Sequence, residues 1–296
     1  MAHIGTAELV SAVSNAGGLG IIGSGFYEPD WVRHQIRLTK QLTEKPFGIN
    51  IHLASPFIQQ VIDIVLEEQV AIVTTGAGNP ESHIPRFKQA GIKVMPVTSS
   101  VTIAKRLESA GVDAIVAAGM ESGGQVGETA TIVLVPQIVD SIRIPVVAAG
   151  GIGDGRGLAA ALTLGAQGIQ MGTRFVCSTE CIAHSRYKQK IIEADDSSTV
   201  VTRQILGFPQ RSLHNKLTDQ FQELEKAGAT KEELELFDRG RISLGLIEGD
   251  IDDGYLLAGQ IAGLIKNIKP VKVIIEEIVT EAEKIISGLQ NKYSKD

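Results

Sequence analysis

Short apolar runs recur along the chain, separated by longer segments whose apolar residues follow helical spacing. The runs at 18–23 (GLGIIG), 46–51 (PFGINI), 71–75 (AIVTT), 93–97 (KVMPV), 113–117 (DAIVA), 145–150 (PVVAAG) and 168–173 (GIQMGT) predict strands. Their near-continuous Val, Ile and Ala content fits strands covered on both faces, as in a parallel sheet flanked by helices. Amphipathic segments near 6–16, 28–43, 56–67, 80–90, 100–109, 129–141 and 154–164 predict the intervening helices. The punctuation agrees with this βα repeat. Pro29-Asp30, Ser55-Pro56 and Asn79-Pro80 are expected to open helices, and Gly91, Gly111 and Gly165 to close them.

Seven strands are one short of a (β/α)₈ TIM barrel. The shortfall sits at the start, where residues 6–16 (TAELVSAVSNA) already read as the first helix. An open seven-stranded sheet is one reading. The preferred one is a barrel whose first strand lies upstream of Met1, so the natural protein is expected to be longer. Residues 1–175 are assigned to the barrel. Residues 176–296, with irregular segments, charged helices and an amphipathic helix at about 270–290, are assigned to a C-terminal helical lid packed on it.

Composition narrows the function. The 296 residues suit one α/β barrel, and 43% hydrophobic residues can fill a large core. A formal charge of −6 gives no general basic field, so nucleic acid and anionic membrane are not expected partners. Cys177 and Cys181 lie four apart where a helix or its entrance is expected, with no clustered histidine, which argues against a zinc site or a disulfide. No metal is expected. The start MAHIGTAELV is not a signal peptide and no apolar run approaches a membrane span, so a cytoplasmic protein is expected.

The strongest chemical signal is PVVAAGGIGDGRGLAAALTLGAQGIQMGTRF at 145–175. Gly150-Gly151 and Gly172-Thr173 end consecutive strands, the last two of the barrel, where such folds hold phosphate on backbone N–H groups. Tight βα turns would use the same glycines, and the pattern does not separate FMN from a sugar phosphate or a nucleotide. Other candidate segments are AGGLGIIGSG at 16–25, KPFGINI with Asn50 at a strand end, TTGAGNP at 74–80, and AAGMESGGQVGETAT at 117–131, which carries Glu121 and Gln125. An amide such as Asn50 at the end of an apolar strand must find a partner, either in a neighbouring loop or on a ligand.

GGLGIIGSG, KPFGINI, TTGAGNP, MESGGQVG, PVVAAGGIGDG, GTRF and GDIDDGYLLAGQIAGL together resemble the FMN-dependent enoyl-acyl-carrier-protein reductase II family, closely related to the nitronate monooxygenases (2-nitropropane dioxygenases). The resemblance spans residue 1 to about 266, and TTGAGNP with AGQIAGL looks more like the reductase branch. It implies an FMN enzyme that takes electrons from NADH or NADPH and reduces the trans-2 double bond of an enoyl thioester. Acyl-carrier protein would be the substrate carrier, in fatty acid synthesis, and a homodimer is expected. By the same resemblance Asn50 would contact the flavin ring, Thr75 and Gly76 would line its pocket, and Ser122 and Gly123 would border the isoalloxazine. Gly150, Gly151, Gly172 and Thr173 would bind the FMN phosphate, and Gln260 would reach back to the ring.

The chain departs from the family pattern at Gln125, where the family has a histidine assigned to substrate proton chemistry in the monooxygenases. Glutamine can hydrogen-bond an oxygen but cannot serve as a general base near neutral pH, which weakens the monooxygenase reading more than the reductase one. His52 lies two positions beyond Asn50, on the same side of an extended strand, and could replace that histidine; His3 is a similar candidate in the first loop. A packing histidine is the alternative for both. The acid-free stretch from Ser197 to Thr218 holds Arg203, Arg211, His214 and Lys216. It could dock an acidic carrier or nucleotide phosphates, or be ordinary solvated surface. Besides a nitronate monooxygenase, a non-redox barrel (an isomerase or lyase) could hold a phosphorylated substrate on the same glycine turns.

Overall fold

The computed structural model of the chain describes Met1 and residues 3–293. Its strands are β1 (Gly20–Gly23), β2 (Phe47–His52), β3 (Ile72–Gly76), β4 (Lys93–Val94), β5 (Val97–Thr98), β6 (Ile115–Ala118), β7 (Gly124–Gln125), β8 (Val146–Ala149), β9 (Gly168–Gln170), β10 (Thr199–Thr202) and β11 (Gln210–Leu213). Two parallel sheets, β1-β2-β3-β4 and β5-β6-β8-β9, form the barrel wall. They are halves of one sheet, because β4 and β5 are the single run predicted at 93–97, interrupted at Met95-Pro96. Proline has no N–H for the ladder. The run stays attached on both sides: Met95 N–H donates to Val73 O at 2.8 Å, and Val116 N–H donates to Pro96 O at 2.9 Å.

The helices α1 (Ala7–Asn15), α2 (Pro29–Leu42), α3 (Ile58–Glu67), α4 (Ile84–Gln89), α5 (Val101–Ser109), α6 (Thr131–Val139) and α7 (Gly155–Thr163) alternate with these strands, as a parallel TIM-type barrel requires. Strand residues such as Ile22, Ile49, Ile51, Val73 and Val94 pack on helix residues such as Val32, Ile36, Val61, Val65 and Leu107 in the main core. Alternation then turns Gly48, Asn50 and His52 of β2 to the opposite, inner face. Gly91, Gly111 and Gly165 adopt the left-handed conformation expected of helix stops, with φ of +73°, +88° and +91°. Two helix starts are corrected. At Asn79-Pro80 a turn forms first, with Pro80 O accepting His83 N–H at 2.8 Å, and α4 begins only at Ile84. At Ser55-Pro56 the hydroxyl accepts Phe57 N–H at 3.3 Å, and α3 begins at Ile58.

The outer strands β1 and β9 each have one barrel neighbour among the described residues. The first residues lie between their C-terminal ends. Gly23 N–H donates to Gly5 O at 3.0 Å, and a Cβ on Gly172 would stand 3.5 Å from the Met1 side chain.

After β9 come α8 (Thr173–Val176), α9 (Ser185–Glu193), the β10–β11 hairpin, α10 (Lys216–Lys226), α11 (Lys231–Asp238), α12 (Arg241–Leu246), a 3₁₀ turn at Gln260–Leu264 and α13 (Val271–Tyr293). Leu206, Leu217, Phe221, Leu234 and Tyr255 form a small core of their own within this extension. A larger cluster joins it to the barrel through Ile4, Leu9, Phe175, Leu256, Ile261 and Ile274. The last helix returns to the ring. A Cβ on Gly155 of α7 would fall 2.5 Å from Glu281 Cβ, and Gly155 N–H donates to the Glu281 carboxylate at 2.7 Å. No helix among the described residues is long and apolar enough to cross a membrane.

Asp113 fastens the seam between the sheet halves. Its N–H donates to Val94 O at 2.9 Å, and its carboxylate accepts Val94 N–H at 2.9 Å, Lys88 Nζ at 2.8 Å and Lys93 Nζ at 3.0 Å. Burial opposes ionisation, but the hydrogen bonds from Lys88, Val94 and Lys93 outweigh it and hold the carboxyl below the usual aspartate range. A depressed folded-state pKa gives stability that is present above the unfolded-state value and lost as pH falls through the folded one. Asp113→Asn is therefore expected to destabilise by about 1 kcal/mol at neutral pH, with the difference from the parent shrinking below pH of about 4. Urea unfolding at pH 7 and in mild acid measures it; equal midpoints at pH 7 would refute the role.

Candidate active site at the strand C-termini

Four backbone segments meet over the ends of β6, β8 and β9. The Gly150-Gly151 turn follows β8 with φ of +95° and +71°, values that favour glycine. A Cβ on Gly150 would lie 2.6 Å from Ser122 Oγ and 3.1 Å from Gly119 O, so this turn presses against the loop after β6. That loop in turn meets the returning chain at 258–260. A Cβ on Gly123 would be 2.6 Å from Gly259 N, and one on Gly259 would be 2.5 Å from Glu121 O. Gln260 N–H donates to Glu121 O at 3.0 Å, and Gly259 N–H donates to Thr173 Oγ1 at 3.0 Å. The residues singled out at Ser122, Gly123, Gly150, Gly151, Thr173 and Gln260 are thus brought together, with Gly172 at the entry to α8. The Gln260 side chain is exposed. Glu121 belongs elsewhere: its carboxylate accepts the Thr131 N–H at 2.9 Å and the Thr131 hydroxyl at 2.8 Å, capping α6.

At the other side of the mouth, Asn50 Nδ2 donates to Thr74 Oγ1 at 2.9 Å. The register pairs Asn50 with Thr74 and His52 with Gly76. Thr74 therefore shares the inner face with Asn50, and Thr75, singled out from the motif, falls on the alternate face with Ile51. His52 stands on the inner face at the strand end, its ring 4.5 Å from the exposed Phe26 ring. Burial lowers the His52 pKa below the ordinary histidine value. His3 is engaged: its Nδ1 lies 3.2 Å from Tyr27 Oη, and Tyr27 stacks on Trp31 at 3.8 Å. Neither Thr74 nor Phe26 was distinguished by the sequence.

Gln125 sits on an unforeseen feature, a short sheet in which the barrel loop pairs with the C-terminal extension. β11 is antiparallel to both β10 and β7, with Gln210 opposite Gln125 and Arg211 opposite Gly124. The Gln125 side chain remains exposed. Arg203 and Arg211 form neither of the two surfaces considered for them, docking or solvated. Arg211 is buried and ties the two layers together, with Nε donating to Met120 O at 3.2 Å and Nη1 to Thr199 Oγ1 at 3.0 Å. Arg203 pairs with Asp238 at 3.0 Å under low exposure, donates to Gln210 Oε1 at 2.9 Å and lies 4.9 Å over the Phe208 ring. Both guanidiniums are spent on internal contacts.

Cys177 and Cys181 are free and buried; burial pushes the Cys177 thiol up to about 11, so it packs as an inert group. Among the described residues no group of three or more His, Cys, Asp or Glu could hold a metal ion. The glycine turns after β8 and β9 do fit a phosphate group. They stand at adjacent strand ends, and backbone N–H groups there supply the positive pole that Arg174, turned to Asn267 O at 2.9 Å, does not. The Gly150 turn should be the less tolerant of the two. Gly150→Ala adds a close approach to Ser122 and Gly119 to an unfavourable φ, whereas a Cβ on Gly151 meets only the Glu121 side chain at 3.3 Å. Thermal unfolding is expected to show the larger Tm loss for Gly150→Ala, worth about 1–3 kcal/mol; an equal or smaller loss than for Gly151→Ala would contradict the packing argument.

Comparison with known proteins agrees with this architecture. The chain is similar to the solved structure of FabK from Thermotoga maritima, at 48% identity and a TM-score of 0.96 over 99% of this chain and 93% of that one. It is 33% identical to a hydroxy-methyl-oxo-octahydroindene carboxyl-CoA dehydrogenase of Rhodococcus jostii, covering 98% of this chain and 92% of the relative. It is 34% identical to a probable nitronate monooxygenase of Staphylococcus saprophyticus, covering 97% and 94%. The nitronate monooxygenase family profile matches residues 1–60 and 53–281. With a TIM-type barrel, glycine turns at its last two strands and relatives along nearly its whole length, the chain belongs to the nitronate monooxygenase family of flavin-dependent oxidoreductases.

Proposed function

We propose that the protein is an enoyl-acyl-carrier-protein reductase, reducing the trans-2 double bond of an enoyl thioester with NADH or NADPH through FMN. The observation that carries this reading is the 48% identity, over nearly the full chain, to FabK, an enoyl-acyl-carrier-protein reductase II. The carboxyl-CoA named for the Rhodococcus relative adds a second thioester substrate within the family. Gln125 points the same way, because an amide can donate to a thioester carbonyl but cannot take a proton from carbon at neutral pH.

In this reading Gly150, Gly151, Gly172 and Thr173 bind the FMN phosphate through backbone N–H groups, and Asn50 and Gly76 face the flavin ring. Ser122 and Gly123 border the isoalloxazine, with Thr75 supporting the pocket from the alternate face of β3 and Gln260 closing it from above. FMN, when bound, supplies the two-electron hydride relay between nicotinamide and substrate. The protein's share is to orient the thioester, hold its carbonyl on the Gln125 amide and keep water out with the extension after residue 175 acting as a lid. Acyl-carrier protein would present the substrate to a surface other than Arg203 and Arg211, and the working unit is a homodimer.

The competing reading is a nitronate monooxygenase, favoured by the name of the Staphylococcus relative. Anaerobic stopped-flow mixing separates the two. FMN-loaded protein is expected to bleach with NADH or NADPH and to regain its colour when crotonyl thioester is added. Flavin that ignores both nucleotides and is reduced only by a nitronate would overturn the reductase assignment.

A further inference from the structure

His52 is the one imidazole at the mouth with both ring nitrogens unpartnered by protein among the described residues. It lies on the inner face of β2, two residues past Asn50 and opposite Gly76 in the register. Its ring rests 4.5 Å from Phe26. Nδ1 is buried and has no hydrogen-bond partner. Nε2 also has no protein partner but is not among the buried atoms, and the residue is half-buried, so this nitrogen reaches the mouth.

These facts fix the chemical form that the ring presents. Burial disfavours the charged imidazolium, so the ring is neutral at neutral pH. A neutral imidazole carries one N–H and one bare nitrogen. A buried N–H without an acceptor is the less tolerable of the two states, so the proton belongs on Nε2. The mouth is therefore offered a neutral N–H donor on a rigid strand, backed by an aromatic ring. Such a group polarises an oxygen without being a proton source, the use made of neutral histidines that stabilise enolates.

We propose that His52 is a catalytic residue that donates its Nε2–H to the substrate oxygen conjugated with the reacting carbon, supplying electrophilic assistance. This rests on the flavin-oxidoreductase reading of the site and deepens it. For an enoyl thioester the oxygen is the carbonyl. As hydride from the reduced flavin bonds to C3, the C2=C3 π electrons move toward that oxygen, and the enolate is held by the His52 hydrogen bond. The enolate then takes a proton at C2 from solvent, so the substrate gains one hydride and one proton while His52 keeps its own. A nitronate also offers a negative oxygen conjugated with the reacting carbon, which the same N–H can bind, although its electrons leave the carbon instead of arriving.

Two variants separate this role from packing against Phe26. His52→Leu keeps bulk without a donor, and His52→Gln keeps a donor without the ring. In the pre-reduced, FMN-loaded protein, reoxidation by crotonyl thioester is expected to slow about 100-fold in His52→Leu and under about 10-fold in His52→Gln. Reduction by NAD(P)H should stay within about two-fold in both, because the donor acts on the substrate oxygen alone. The saturated butyryl thioester, read by its perturbation of the flavin spectrum, should bind about 3–10-fold more weakly to His52→Leu alone. Parent-like reoxidation by His52→Leu, or equal slowing in both variants, would overturn the proposal. If the parent's flavin is not reoxidised by crotonyl thioester, the reductase assignment fails by itself. Ethyl nitronate binding is then compared in His52→Leu and His52→Gln, where parent-like affinity in His52→Leu would overturn the role of His52.

Discussion

The close approach of three glycine-bearing backbones, at 121–123, 150–151 and 258–260, is the constraint on which the site depends. Gly259 N–H reaches the Thr173 hydroxyl at 3.0 Å while Gln260 N–H reaches Glu121 O at 3.0 Å, so one short segment spans the ends of two barrel units. The approach tolerates no side chain: a Cβ at Gly123 or Gly259 would fall within 2.6 Å of backbone atoms. Backbone-to-backbone contact of this kind fixes the path of the loop after β6 against the Gly150-Gly151 turn and the returning chain. Glu121 contributes indirectly, by capping α6 through Thr131 and so fixing the loop it begins.

The C-terminal extension is joined to this assembly by chain pairing as well as by packing. β11 contributes Arg211 to Met120 O and pairs with β7, so the loop that carries Gln125 is part of a sheet whose other strands belong to the extension. Buried guanidiniums bring a large desolvation demand, and here most of it is met by the Met120 and Gln210 carbonyls, the Thr199 hydroxyl and the Asp238 carboxylate, while Arg203 Nε has no partner. A positive stretch of sequence thereby becomes an internal fastener, leaving little charge at those positions for an external partner.

The two sides of the mouth have different chemistry. The β8–β9 side is nearly all backbone, suited to a phosphate. The β1–β3 side carries Asn50, Thr74 and His52 on adjacent strands and Phe26 in the turn after β1, an amide, a hydroxyl, an imidazole and an aromatic ring. Parallel strand order makes this division unavoidable, since strand ends that are neighbours in the sheet present their residues to the same part of the mouth.

The sequence by itself determined the repeating βα pattern and the ends of most elements, because apolar periodicity, glycine stops and helix caps are local properties read within a few residues. It also placed Gly150-Gly151 and Gly172-Thr173 at consecutive strand ends, because glycine runs after apolar runs are local signals. The family motifs added the return of Gln260 to the mouth. Only the tertiary structure decided which threonine joins Asn50, because the choice of Thr74 over Thr75 depends on the register between β2 and β3. It also decided that Pro96 breaks one strand into two, that Arg203 and Arg211 turn inward, and that Gln125 lies on a sheet with the C-terminal extension. Those outcomes rest on contacts between residues far apart in sequence, where side-chain direction and partner choice are set by packing and by the need to satisfy buried polar groups rather than by local pattern.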